Sequence, residues 1–308
     1  MSTTTAVTPP PPTRAARAWA ERFASLAPWA WVTPAILFVL VFLVWPVIYT
    51  IWLSLRSYDS SAWVGLANYV RIFTTSGFVE ILRNNALWLV LGTAATVGLG
   101  LVIAVLADRA RFERATKAAI FIPMAISFVG AGVIWKFMYA YNPPGTTQIG
   151  LLNAVAARFG IPPQAWLVNP AINNLALIAV YVWMWTGFCM VILSAALKGV
   201  PDDVLEAARV DGANEIAIFF RIIVPLISPT IAVVATVMIV NILKIFDIVY
   251  VMTGGNFGTN VIALAFYQQY FTFNDFGVAS ALAVLLLIVI IPVMAFNVRR
   301  FRAQEAQR

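Results

Sequence analysis

Six stretches of this 308-residue chain are each long and apolar enough to cross a lipid bilayer, and no other feature constrains its fold as tightly. They lie at roughly 29–55, 85–107, 117–140, 171–198, 226–252 and 276–298. About 20 residues of helix span the hydrocarbon layer, whereas a tilted barrel strand needs only about 10. Lipid offers the backbone no hydrogen-bond partners, so segments of this length must satisfy themselves as helices. The expected fold is an all-α integral membrane protein with six transmembrane helices. Composition agrees: 62% of residues are hydrophobic and 11% charged, where a soluble domain is about half apolar and about a quarter charged.

Residues 1–28 are rich in Thr, Pro, Ala and Arg, with Pro9 to Pro12 in a row, and read as a flexible tail that cannot bury a core. The apolar run that follows is too long for a signal peptide. Lys and Arg give the orientation. With the N-terminus inside, the cytoplasmic segments hold Arg14, Arg17, Arg22, Arg109, Arg111, Arg114, Lys117, Lys198, Arg209, Arg221, Arg299, Arg300, Arg302 and Arg308. The outer loops hold Arg56, Arg71, Arg83 and Arg158. This asymmetry places both termini, including a short tail over 299–308, in the cytoplasm.

Histidine is absent and Cys189 is the only cysteine, which excludes internal disulfides, His/Cys metal clusters and histidine-based catalysis. No catalytic or metal-binding residue is expected. The net charge of +7 sits on helix flanks rather than on a basic face, so nucleic acid is not expected as a partner. Outer-loop prolines and glycines (Pro143, Pro144, Pro162, Gly254, Gly255, Gly258) mark turns, not a folded receptor domain. In the second span Gly92, Thr96, Gly100 and Ala104 recur every fourth residue, a stripe suited to close helix packing.

The loop between spans four and five, 199–225, carries the most information. Pro201 suits a first helical position, and Asp202 and Asp203 favour the positive end of a helix. Val204, Leu205 and Ala208 share one face, and Gly212 is placed to end the helix in a left-handed conformation. A second short helix then runs to Pro225, where the next span starts. Two readings fit the pattern: a rigid knob with small residues at its corner for another protein to grip, or an amphipathic loop lying on the headgroups.

Glu206-Ala207-Ala208, then Gly212, then Ile222 and Pro225, resembles the EAA loop of binding-protein-dependent ABC importer permeases. The likeness continues through Pro123, Trp135, Phe137 and Gly150-Leu-Leu-Asn153, and through Trp183, Met190, Leu193 and Leu197. It reappears in the run from Lys244 to Gly255 and in Phe276-Gly-Val-Ala-Ser-Ala281, as in the carbohydrate, maltose-type branch. The run from Phe121 to Asn153 is similar to α-glucoside importer permeases. One departure stands out: family members usually carry Gly-Pro after the paired glycines, where this chain has Asn256-Phe257.

The resemblance implies a coupling helix whose residues Glu206, Ala207, Ala208, Asp211 and Gly212 dock on a cytoplasmic ATPase. It implies four kinds of partner in a bacterial inner membrane: a second, homologous permease, two ABC ATPase subunits, an extracytoplasmic solute-binding protein and a sugar. The chain has no Gly-x-x-x-x-Gly-Lys-Ser/Thr loop, so ATP and Mg are expected on the partner subunits and no cofactor on this chain.

Intramembrane ionisable groups are costly and mark pathways. Lys136 beside Trp135 and Tyr139 reads as snorkelling to the interface. Asn241, Lys244 and Asp247, spaced by three, form a polar stripe on the outer half of span five; Lys244 and Asp247 can pair, line a path, or both. Tyr181 and Trp183 on span four could face a sugar ring, although interfacial anchoring is the preferred reading. An α-glucoside is the expected substrate, with another oligosaccharide or glycerol-3-phosphate as the alternative. A secondary transporter would want more spans and an ion site.

Overall fold

The computed structural model describes residues 29–108 and 110–305. The tail expected over 1–28 lies outside the described residues, as does Arg109. Among the described residues the structure is helical, with an isolated antiparallel bridge between Arg56 and Trp63.

Five helices are long and apolar enough to cross a membrane: α1 (Trp29–Leu53), α3 (Ser76–Asp108), α7 (Asn173–Lys198), α9 (Glu215–Leu243) and α12, which begins at Phe276 and runs to Glu305. The segment expected as span three is a bent pair. Its inner arm α4 (Glu113–Ala125) meets its outer arm α5 (Phe128–Met138) at 100°. Counting that pair as one span gives the expected six. Shorter helices are α2 (Ala67–Thr74), α6 (Leu151–Arg158), α8 (Asp202–Val210), α10 (Asp247–Met252) and α11 (Ile262–Tyr267). The expected tail at 299–308 is helical as far as Glu305, because α12 continues past the apolar run.

Prolines shape two of the spans in the same way. A proline ring collides with the carbonyl four residues back and cannot donate a hydrogen bond. Widened π-turns at Leu40–Val44 and Phe219–Ile223 stand just ahead of Pro46 and Pro225, with Trp45 N–H reaching Leu40 O and Val224 N–H reaching Phe219 O. Pro225 therefore does not open a new helix: the short helix expected after the loop merges into α9. In the bent span, Pro123 sits in a 3₁₀ turn, and Ser127 starts α5 by accepting a hydrogen bond from Gly130 N–H at 3.1 Å.

The core lies around α7. The small-residue stripe of α3 is buried, and a Cβ at Gly100 would overlap Cys189 of α7, so the stripe does the packing work its spacing predicts. On its other side, Gly187 lets α7 approach the backbone of Ile120 and Phe121 on α4. Around the crossing with α9, Cys189, Met190, Leu193, Val234 and Met238 are fully buried.

The outer loop between α10 and α11 is pinned from a distance. Asn84 donates to Gly258 O (2.8 Å) and Asn260 O (2.9 Å), Asn174 to Gly258 O (3.1 Å) and Asn173 to Phe257 O (2.7 Å). Asn85 accepts from Ile262 N–H at 2.7 Å. Phe257 has φ 58, a value closed to proline, whose ring holds φ near −65°. The departure from Gly-Pro noted in the sequence thus gives this loop a different path at that residue.

Candidate functional site

Two places on the chain combine irregular backbone with exposed polar groups, and α9 joins them. One is the loop around α8; the other is the outer end of α9.

The short helix α8 is closed locally at its C-terminus. Pro201 precedes it in an extended conformation (φ −62°, ψ 133°), one position earlier than expected, and Asp202 and Asp203 occupy its first turn. Gly212 adopts φ 81, as its position predicts. Gly212 N–H bonds to Arg209 O and Ala213 N–H to Ala208 O, both at 3.0 Å, which is the paired pattern of a Schellman cap. Asn214 then caps α9 by accepting from Ala217 N–H at 2.7 Å. Arg209 bridges the turn to Glu215 at 2.9 Å, and that hydrogen bond raises the pKa of the guanidinium further. The result is a stiff corner whose shape depends on neighbours in sequence.

Its faces divide sharply. Ala208 is buried and Leu205 half-buried, and Leu205 lines a cavity of about 510 Å³ together with Leu197, Val200, Phe219 and Ile223. Glu206, Ala207, Asp211 and Gly212 are exposed. Of the five residues expected to dock, then, Ala208 is turned inward, and Val204, expected on one face with Leu205 and Ala208, is exposed while they are not. Two residues missed in the sequence flank the corner: Val210 is 88% exposed and Ile216 is 71% exposed. Bare aliphatic side chains around a polar corner are what a partner-binding rim looks like. Their spacing across the turn, rather than along one helix, hid them.

At the outer end, α9 stops at Leu243, and Lys244 to Phe246 leave helical geometry before α10 begins at Asp247. The expected helical stripe is therefore broken. Asn241 is half-buried and bonds back to Val237 O at 2.9 Å; Lys244 is exposed and Asp247 half-buried. Among the described residues no ion pair joins Lys244 to Asp247, because the break removes the helical spacing that would have brought them together. Irregular backbone at such a place must line water or be covered by protein. Phe246 stacks on Tyr250 (5.2 Å between ring centres), and Tyr267 meets both edge-on at 5.4 and 5.8 Å. Lys136 reaches Val251 O, at the end of α10, over 3.4 Å.

The two aromatic candidates lie elsewhere. Tyr181 is fully buried, edge-on to Trp88 and beside Trp185, with its hydroxyl 3.8 Å from Met238 Sδ. Trp183 packs edge-on against Trp135 at 5.5 Å and borders an apolar groove of about 820 Å³ between α3, α4 and α7.

A family model described as "binding-protein-dependent transport system inner membrane component" matches residues 96–302. The chain is 55% identical to the osmoprotective compounds uptake permease protein GgtC of Synechocystis sp., over 90% of this chain and 100% of that protein. It is 46% identical to the alpha-glucoside transport system permease protein AglF of Rhizobium meliloti, over 89% of this chain and 82% of that protein. Among solved structures, a bacterial ABC transporter that imports alginate superposes with a TM-score of 0.75 at 22% identity. That match covers 92% of this chain and 99% of that one, and it shows the same fold.

Proposed function

Because the chain belongs to the family of binding-protein-dependent transport system inner membrane components, we propose that it forms half of the membrane path of an ATP-driven sugar importer, coupled at α8 to a separate ATPase. The supporting observation is that one continuous helix, widened by the π-turn at Phe219–Ile223, links the two irregular sites. The 29 residues of α9 rise by about 1.5 Å each, about 43 Å in all, from the corner at Asn214 to the break at Lys244.

The geometry supports the following mechanism. ATP, with Mg, binds and is hydrolysed on the partner ATPases. When they close, the exposed corner of Glu206, Ala207, Asp211 and Gly212 moves with its socket. Schellman closure, the Asn214 cap and the Arg209–Glu215 bridge keep α8 from unravelling, so the displacement passes into α7 through Gly199–Pro201 and into α9 through Asn214. At the far end α9 carries Asn241 and Lys244 beside the Phe246–Tyr250–Tyr267 cluster, and the mouth opens or closes with it. The positive flanks support both termini facing the cytoplasm. A second permease completes the path, and a solute-binding protein delivers to it.

A neutral, hydroxyl-rich solute suits this mouth. Lys136 turns to a backbone carbonyl, Arg71 is paired with Asp275 at 2.7 Å and Arg83 lies near Glu80, while Lys244 is exposed at the break. That is thin provision for glycerol-3-phosphate. The 46% identity to an α-glucoside permease supports an α-glucoside substrate, and the 55% identity to GgtC favours an osmoprotective compound as the second reading.

The test is uptake by the assembled importer in proteoliposomes. We expect ATP-dependent uptake of maltose or trehalose and none of glycerol-3-phosphate. Preference for an osmoprotective solute over maltose would move the substrate class to the second reading. Uptake by this chain alone, driven by an ion gradient, would contradict the assignment.

A further inference from the structure

A charged knot lies at the cytoplasmic base of the bundle, beside the corner described above. Its centre is Lys117 on α4, whose ammonium lies 2.5 Å from Asp108 Oδ1, 2.6 Å from Glu113 Oε1 and 2.5 Å from Ser194 Oγ. Ser194, 2% exposed, donates to the same Asp108 oxygen at 2.6 Å and closes a ring. Glu113 also pairs with Lys198. Asp108 is the last residue of α3 and Lys198 the last of α7, so one ammonium joins three helices. The side chains of Lys117 and Asp108 are 17% and 18% exposed. Water therefore screens them far less than an ordinary surface pair, and losing the cation would strand the Asp108 carboxylate, while Glu113 keeps Lys198.

The place of the knot gives it more than a structural meaning. Lys198 is followed by three residues and then α8, and Asp108 and Lys198 border the cavity beneath that helix. Any displacement of α8 that moves the end of α7 must drag Ser194 and Lys198, and through them α4. At its other end α4 meets the 100° break, beyond which α5 is gripped by α10: Gly132 fits closely against Val251, and Lys136 reaches Val251 O. Asp247, at the mouth, is the first residue of that same α10.

Resting on the coupling reading, we propose that Lys117 is a positioning residue that makes the bent span a second lever from the coupling corner to the outer mouth. Helix α9 delivers the displacement to one side of the break at Lys244, and the Lys117-held elbow delivers it to the other.

The test uses the assembled importer in nanodiscs, with Tyr250→Cys as a reporter at the mouth. Cys189 is the only native cysteine and is buried; it is replaced by Ala. The rate of labelling by a membrane-impermeant maleimide is measured with and without ATP. With Lys117 intact, ATP should change that rate at least fivefold. Lys117→Met should reduce the change to within twofold while ATP hydrolysis continues, and Lys117→Arg should restore most of it. Asp108→Asn combined with Lys117→Met relieves the stranded charge. It should recover thermal stability but not the ATP response, which a merely structural role would recover together. A full response in Lys117→Met, or its return in the double variant, would overturn the proposal. A reporter that ignores ATP even with Lys117 intact would bring down the coupling reading itself, and this proposal with it.

Discussion

The cytoplasmic corner and the outer mouth sit at opposite ends of one helix and are held by opposite means. At the corner, hydrogen bonds run between near neighbours: Ala213 to Ala208, Asn214 to Ala217, Arg209 to Glu215. At the mouth, the loop that follows α10 has near-neighbour bonds too, such as Thr259 to Asn256 O. It is also tied to asparagines 174 and 177 positions away in the chain, Asn84 and Asn85. Local closure gives a part that keeps its shape whatever the bundle does. Remote pinning gives a part whose shape follows the relative positions of the helices. A force should enter at the first kind of part, and a gate should be built from the second.

The largest effect should come from breaking the local closure. Gly212→Val forces a β-branched residue to φ 81, costing about 1–3 kcal/mol of backbone strain. Because a Cβ there would meet no described atom, the damage should stay in the corner. We expect more than a tenfold loss of uptake and loss of ATPase co-purification, with the thermal stability of the membrane domain little changed. Gly212→Asn, which tolerates the left-handed region, should keep most of both.

Breaking a remote pin should do the reverse. Asn84→Ala removes two hydrogen bonds at a buried side chain; Gly258 O keeps its donor Asn174, while Asn260 O loses the Asn84 donor, at about 1–3 kcal/mol where water cannot replace it. Thermal stability should fall by several degrees and uptake several-fold, while the ATPase still co-purifies. If Asn84→Ala also released the ATPase, the contrast between the two ends would be lost.

Two smaller effects sharpen the comparison. Arg209→Gln removes an exposed ion pair, so coupling should weaken modestly at low salt and the difference should vanish at high salt. Tyr181→Phe should leave uptake unchanged, since the hydroxyl is buried against a thioether. A tenfold loss would show that Tyr181 faces the path in another state.

What the sequence revealed follows the same division. Six spans were legible from length alone, and the corner from Gly212, because both depend on neighbouring residues. The breaks at 126–127 and 244–246 were not, because the apolar run continues through them and α5 packs on α10, which is distant in sequence. Tyr181 could not be assigned a face because α7 is apolar on nearly every side and shows no stripe. Lys117 read as a positive flank, since Ser194 is 77 positions away. The side that Ala208 faces was not legible either, because a methyl group suits both a packed face and a docking corner; only the turn of α8 decides.

If the exposed corner of α8 seats in the ATPase and moves the bundle from there, disulfide or bismaleimide cross-linking will reveal it. From a cysteine at Ala207, in the Cys189→Ala background and within the assembled importer, we expect a cross-link to the ATPase subunit that arrests ATP-driven uptake. Reduction of the disulfide should release it, with recovery of uptake. Cross-links that reach only lipid-facing reagents or the paired permease, with uptake undisturbed, would contradict that seating.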